Sequence, residues 1–278
     1  MNITQVNFTS TSAPKDFANS IKNTGFAVIH HHPIDQALLK DVYSEWSNFF
    51  GSENKFTYRF DPKIQSGYFP FRSENAKDSP IKDLKEFYHL YKESDLPTEC
   101  NSSTILLRRS LIQMASLLLS WLDEQTPSEI RTHFSMPLSE MITDSKTTLL
   151  RVLHYPPLTG EIEEGAIRAA AHEDINLITL LPAATAAGLQ VKDNTGTWYD
   201  VPCDPGSIIV NAGDMLQLAS NGYYRSTTHQ VVNPKGAEAR TSRFSLPLFL
   251  HPREEVYLGE GMTARQYLDQ RLRELGLK

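Results

Sequence analysis

Residues 148–155 (TLLRVLHY), 176–181 (NLITLL), 188–191 (GLQV), 197–201 (TWYDV), 207–211 (SIIVN), 228–232 (THQVV) and 242–250 (SRFSLPLFL) form a series of short runs rich in apolar, β-branched and aromatic side chains. Turn signals separate them: DNTG at 193–196, DPG at 204–206 and NG at 221–222. Strands of this length and spacing, with no regular helical segment between them, predict a β-sandwich or barrel and disfavour an alternating βαβ sheet. Upstream the pattern changes. Residues 16–24 read as a short helix, Gly25 as its C-terminal glycine, 26–30 (FAVIH) as a strand and 34–50 as an amphipathic helix. Apolar residues recur at helical spacing in 105–122 (ILLRRSLIQMASLLLSWL), interrupted by Arg108 and Arg109, so this stretch is expected to pack on the core. Residues 263–275 read as a terminal helix. The expected architecture is mainly β with flanking helices: a mostly helical region, 1–145, packed on a β core, 146–278.

Bulk properties narrow the function. The 278 residues carry a net charge of −6, and the 27 Lys and Arg form no long block, so a small-molecule partner is expected and nucleic acid is not. Cys100 and Cys203 fit no paired metal spacing and are expected to be reduced. The first 17 residues lack the basic start and apolar run of a signal peptide, and no unbroken apolar stretch reaches the roughly 20 residues of a membrane span. A cytoplasmic enzyme without a membrane partner is the expectation.

The chemistry is read from residues 169–181, AAAHEDINLITLL. In an extended chain residues two apart share a face, so His172 and Asp174 project together while Glu173 points away. By itself such a pair says little, because 9 His and 33 acidic residues in 278 give about one by chance. A second imidazole from a distant strand would complete a facial triad of two histidines and one carboxylate, the set that suits iron(II) and leaves adjacent positions open. His229, opening the run THQVV, is the candidate.

In their order along the chain these stretches resemble a known family, the iron/ascorbate oxidoreductases, or isopenicillin N synthase-like 2-oxoglutarate and iron(II)-dependent dioxygenases. LLRVLHYPP looks like the family strand that ends in Asn-Tyr-Tyr-Pro, AAAHEDINLITLL like its first ligand segment and DMLQLASNGYYRSTTHQVV like its second. Arg243-Phe-Ser245, followed by Leu-Pro, looks like the Arg-x-Ser strand that binds the far carboxylate of the cosubstrate. The likeness covers nearly the whole chain, from FANSIKNTGFAVIHHHPID through the β core to SRFSLPLFLHP.

The resemblance implies a double-stranded β-helix (jelly-roll) core, with iron on His172, Asp174 and His229. It implies 2-oxoglutarate held by Arg243, Ser245 and the Tyr155 hydroxyl, dioxygen as the other cosubstrate, and room for ascorbate as an auxiliary reductant. The implied reaction oxidises, by default hydroxylates, a small molecule with release of succinate and carbon dioxide. Two departures bear on cosubstrate binding: the family's Asn is Leu153 and its middle Tyr is His154. Residues 66–90 also look like a segment of bacterial members. There Lys85 and Glu86 read as structural, and Tyr68, Arg72 and, further along, Arg168 as groups that could face an anionic, carboxylate-bearing substrate. Two other readings stay open: an iron oxidase independent of 2-oxoglutarate, in which Arg243 binds a substrate carboxylate, and a non-catalytic jelly-roll binding protein.

Overall fold

In the computed structural model, which describes residues 1–75, 81–259 and 261–274, the predicted β runs form two facing sheets. Before them come β1 (Gln5–Asn7), α1 (Ala13–Thr24), β2 (Phe26–His30), α2 (Gln36–Gly51), β3 (Gly67–Phe69), β4 (Glu86–Leu90), α3 (Ser102–Gln125) and the single-turn helices α4 (Ser128–Arg131) and α5 (Leu138–Met141). There follow β5 (Leu149–Tyr155), β6 (Ala169–His172), β7 (Ile178–Pro182), β8 (Leu189–Lys192), β9 (Trp198–Asp200), β10 (Ile208–Ala212), α6 (Asp214–Ala219), β11 (His229–Val231), β12 (Arg243–Ser245) and β13 (Leu248–Leu250). A hairpin of β14 (Tyr257–Gly259) and β15 (Met262–Thr263) leads into α7 (Ala264–Glu274).

The larger sheet has nine strands in the order β1-β2-β10-β7-β13-β5-β4-β3, with β12 also on β5, and the smaller runs β6-β11-β8-β9. The first 145 residues therefore do more than cover the core, since β1 to β4 hydrogen-bond into the larger sheet. Side-chain alternation divides the interior into two layers. Leu150, Val152, Ile178, Leu180, Ile208 and Val210 face the helices, whereas Phe87, Leu153, Tyr155, Leu181 and Ile209 face the smaller sheet. The space between the sheets is the jelly-roll interior.

Local chemistry accounts for the helices. Asp35 caps α2 by accepting from Ala37 N at 2.8 Å, and Asn101 caps α3 through Ser103 N at 2.8 Å. Gly25 ends α1 at φ 73°, and a Cβ there would lie 2.8 Å from the Arg225 carbonyl. By length and composition α3 could cross a membrane, yet Leu107, Leu111, Ala115, Leu118 and Leu122 form a fully buried stripe packed with α1 and α5. Residues 214–219 are helical, so Asn221 (φ 50°) and Gly222 (φ 80°) terminate α6 and do not form a hairpin into β11. Arg240 lies in a 3-10 turn, Gly236–Arg240, and not on the strand that carries Arg243.

Candidate active site

His172 and His229 sit directly opposite each other in the antiparallel pair β6–β11, their ring centroids 4.4 Å apart. Asp174 follows β6 on the same face: its Oδ1 is 3.8 Å from His172 Nε2 and 3.7 Å from His229 Nε2. One ligand atom from each of the three lies within 4.8 Å of the others. Glu173 points away, as strand alternation requires, and its carboxylate accepts from the Thr228 hydroxyl.

The proton positions suit a dication. His172 Nδ1 is 2.8 Å from the Ala170 carbonyl and His229 Nδ1 is 3.1 Å from the Thr227 carbonyl. A carbonyl only accepts, so each Nδ1 carries the proton and each Nε2 turns a lone pair inward. Burial, reinforced by the neighbouring imidazole, pushes His172 down to about 4. Asp174 Oδ2 accepts from Asn211 Nδ2 at 2.8 Å and Thr179 Oγ1 at 2.5 Å, leaving Oδ1 to the imidazoles. Burial would raise that carboxyl, but the two imidazoles and these donors outweigh it and hold its pKa below the usual value. The loop is fixed from behind as well: Asp214 N donates to Asp174 O at 2.7 Å, and Gly213 passes so close that a Cβ would lie 2.1 Å from Asn176 O.

Neither Thr179 nor Asn211 was singled out in the sequence. They stand opposite each other on β7 and β10, where alternation turns both into the interior. The available signal was one polar residue at an inward position of an apolar strand, in NLITLL and again in SIIVN.

Across the interior, β12 pairs with β5 so that Arg243 faces Tyr155 and Ser245 faces Leu153. All four are buried. The Arg243 guanidinium carbon lies 5.0 Å from the Tyr155 ring centroid; Nε donates to the Ala186 carbonyl at 2.9 Å, while Nη1 is buried without a partner. Such an atom, in a positively charged fork, suits an anion that supplies its missing acceptor. Leu153, in place of the family's Asn, belongs to the apolar layer between the sheets. His154 takes the other face, bonding Glu86 at 2.7 Å and stacking on Phe244.

The remaining polar candidates separate. Tyr68 lies in the layer under α2 with its hydroxyl on Glu86, and half-exposed Arg72 pairs with Glu163, so neither faces the interior site. Lys85 does, in a closed network: Nζ is 2.8 Å from Glu74 and 2.7 Å from Asp83, and Arg151 binds Glu74 at 3.2 and 3.3 Å. Burial alone would push Glu74 up, but Arg151 and Lys85 hold it far below the carboxylate range. Arg168 lies just before β6, buried, with its guanidinium carbon 5.8 Å from the Tyr155 ring.

Residues 146–252 match the family model of the 2OG-Fe(II) oxygenase superfamily, and residues 9–105 match that of the N-terminal region of non-haem dioxygenases, described for morphine synthesis. A crystal structure from Shewanella oneidensis, of a protein assigned as an oxygenase, is 48% identical with a TM-score of 0.90, covering all of both chains. Another, assigned to the 2OG-Fe(II) oxygenase family in Caulobacter crescentus, is 30% identical over 98% of each chain with a TM-score of 0.77. The chain belongs to the 2OG-Fe(II) oxygenase superfamily. Among curated relatives of this oxygenase, a 2-oxoglutarate-Fe(II) type oxidoreductase of Aspergillus fumigatus is 29% identical over 250 residues, 82% of this chain and 72% of the relative. The jelly-roll expectation, the enzyme class and the cofactor set of Fe(II), 2-oxoglutarate and dioxygen all stand.

Proposed function

We propose that this oxygenase holds Fe(II) on His172 Nε2, Asp174 Oδ1 and His229 Nε2, and binds the 5-carboxylate of 2-oxoglutarate with Arg243, Ser245 and Tyr155. The observation that carries the reading is the convergence of three ligand atoms with both imidazole protons fixed outward. Bound iron supplies the oxidising chemistry: 2-oxoglutarate, dioxygen and a C–H bond of the substrate give succinate, carbon dioxide and an alcohol, one oxygen atom going to succinate and one to the substrate. The protein's share is to fix the ligands, orient both organic molecules and keep the interior dry.

The organic substrate in this proposal is a small carboxylate-bearing molecule, without a nucleic-acid or membrane partner. Residues 1–145 and 146–278 work as one folding unit, which the shared nine-stranded sheet supports. A cytoplasmic setting completes the proposal and accords with the free thiols of Cys100 and Cys203. Anaerobic Fe(II) titration tests the ligand assignment: wild type takes up one equivalent, Asp174→Ala loses it, and Glu173→Ala keeps it. Equal loss in the two variants, both folded, would mean the wrong face of the strand has been assigned.

A further inference from the structure

Lys85, Arg151, Arg168 and Arg243 all border the space between the two sheets, and among the described residues the first two have carboxylate partners. Lys85 and Arg151 share Glu74 and Asp83, two cations to two acids. Arg168 and Arg243 are 1% and 2% exposed, have their guanidinium carbons 5.8 and 5.0 Å from the Tyr155 ring centroid, and have no carboxylate partner among the described residues. Arg168 donates to the Thr241 carbonyl at 3.2 Å, while its Nε is buried with no partner. Burial, with Arg243 nearby, pulls the Arg168 pKa down to about 10, which still leaves it fully charged at neutral pH.

Charges at the assembled site can then be counted. Fe(II) brings two positive charges and Arg243 one; Asp174 brings one negative charge and 2-oxoglutarate two. These cancel. Among the described residues no carboxylate compensates Arg168, and a buried guanidinium is stabilised by an anion that accepts its free N–H groups. We infer that Arg168 is the substrate-recognition residue of this oxygenase and that the molecule oxidised is an organic monocarboxylate whose carboxylate docks on it.

Position supports the assignment. Arg168 precedes β6, the strand that ends in His172, so an anion on its guanidinium lies along the same strand as the proposed metal ligand. The Tyr155 ring beside Arg168 belongs to the same buried layer as Phe87 and Leu153, an apolar surrounding that suits the carbon chain of a substrate anchored there. The alternative use of the same group is a second clamp on the 2-oxoglutarate carboxylate beside Arg243.

The inference rests on Arg243 being the cosubstrate arginine, and the test keeps the two apart. Fe(II)-loaded enzyme saturated with 2-oxoglutarate, without oxygen, is titrated calorimetrically with monocarboxylates from acetate to decanoate and phenylacetate, each beside its primary amide. The expected result is that the best-fitting acids bind at least about tenfold more tightly than their amides, the scale of one charge-assisted contact. Arg168→Gln abolishes that preference, and Arg168→Lys keeps part of it. The Arg168→Gln variant also loses less 2-oxoglutarate affinity than Arg243→Gln. Wild-type enzyme that favours no acid over its amide overturns the inference, as does an acid preference that survives in Arg168→Gln. Losses of 2-oxoglutarate affinity matching those of Arg243→Gln make Arg168 a cosubstrate residue, which also overturns it. Should Arg168→Gln fail to fold, the acid-to-amide ratio in wild type and Arg168→Lys decides. Wild-type enzyme that binds iron but no 2-oxoglutarate would instead refute the reading of Arg243.

Discussion

Replacing Arg243 by Met removes a positive charge while nearly preserving the length and apolar stem that pack on Tyr155. The guanidinium already spends Nε on the Ala186 carbonyl, so its Nη edge is the part available to a carboxylate, and Nη1 is buried with no partner of its own. A buried carboxylate deprived of its charged partner costs about 2 to 5 kcal/mol. Tyr155 and Ser245 remain beside the vacated position, which places the loss in the lower part of that range, about 2 to 3 kcal/mol, or a 30- to 150-fold rise in the 2-oxoglutarate dissociation constant. Anaerobic calorimetry on Fe(II)-loaded protein measures it directly, and near-unchanged Fe(II) uptake separates it from damage to the metal ligands. Arg240→Ala is the control: Arg240 is exposed in the 3-10 turn Gly236–Arg240 and should shift the constant less than about twofold. A shift of less than threefold in Arg243→Met, with the fold intact, would show that the carboxylate is held elsewhere.

Asn211→Leu and Thr179→Val each remove a donor from Asp174 Oδ2 and should weaken Fe(II) binding by about 10- to 100-fold while circular dichroism stays unchanged. His251 is pushed down to about 4 by burial, so between pH 6.5 and 4 the unfolded chain binds a proton there that the folded chain does not. Stability should therefore fall on acidification through that window, by at most about 3 kcal/mol from this group, and denaturant midpoints of His251→Gln should fall less steeply than wild type. Leu118→Ala opens a cavity in the fully buried stripe of α3 and should cost about 2 to 5 kcal/mol in urea unfolding without changing 2-oxoglutarate affinity.

How far the sequence could be read depended on whether a residue's role was set locally. Strand alternation is a local rule, so the projection of His172 and Asp174 to one side with Glu173 opposite was legible from three letters. The runs from 148–155 to 242–250 were legible as strands because length, β-branching and turn residues agree. The choice of His229 needed a partner strand, and there the family resemblance supplied the pairing that spacing alone does not. Where Tyr68 and Arg72, two groups that could face the substrate, actually sit was not legible, because which face of β3 meets α2, and what Arg72 reaches on the surface, are tertiary facts. The helix at 214–219 was hidden inside a segment read for its ligand. That Arg168 has no carboxylate partner among the described residues was not legible either, since ion pairing is a tertiary fact.

The placing of β2 has a bearing on how the enzyme comes into being. Val28 pairs with Ile209, Phe26 stands opposite Asn211, and the Gly25 carbonyl accepts from Ala212 N at 2.9 Å, so the strand that carries Asn211 lies between an early strand and β7. In turn β7, carrying Thr179, is held by β13. A ribosome delivers these partners far apart in time, and pairings between such distant parts of a chain form late. The carboxylate of Asp174 is thus gripped only after nearly all the described strands have emerged and closed on one another. Until those strands close, nothing in the sheet holds His172, Asp174 and His229 in the arrangement that the finished interior gives them.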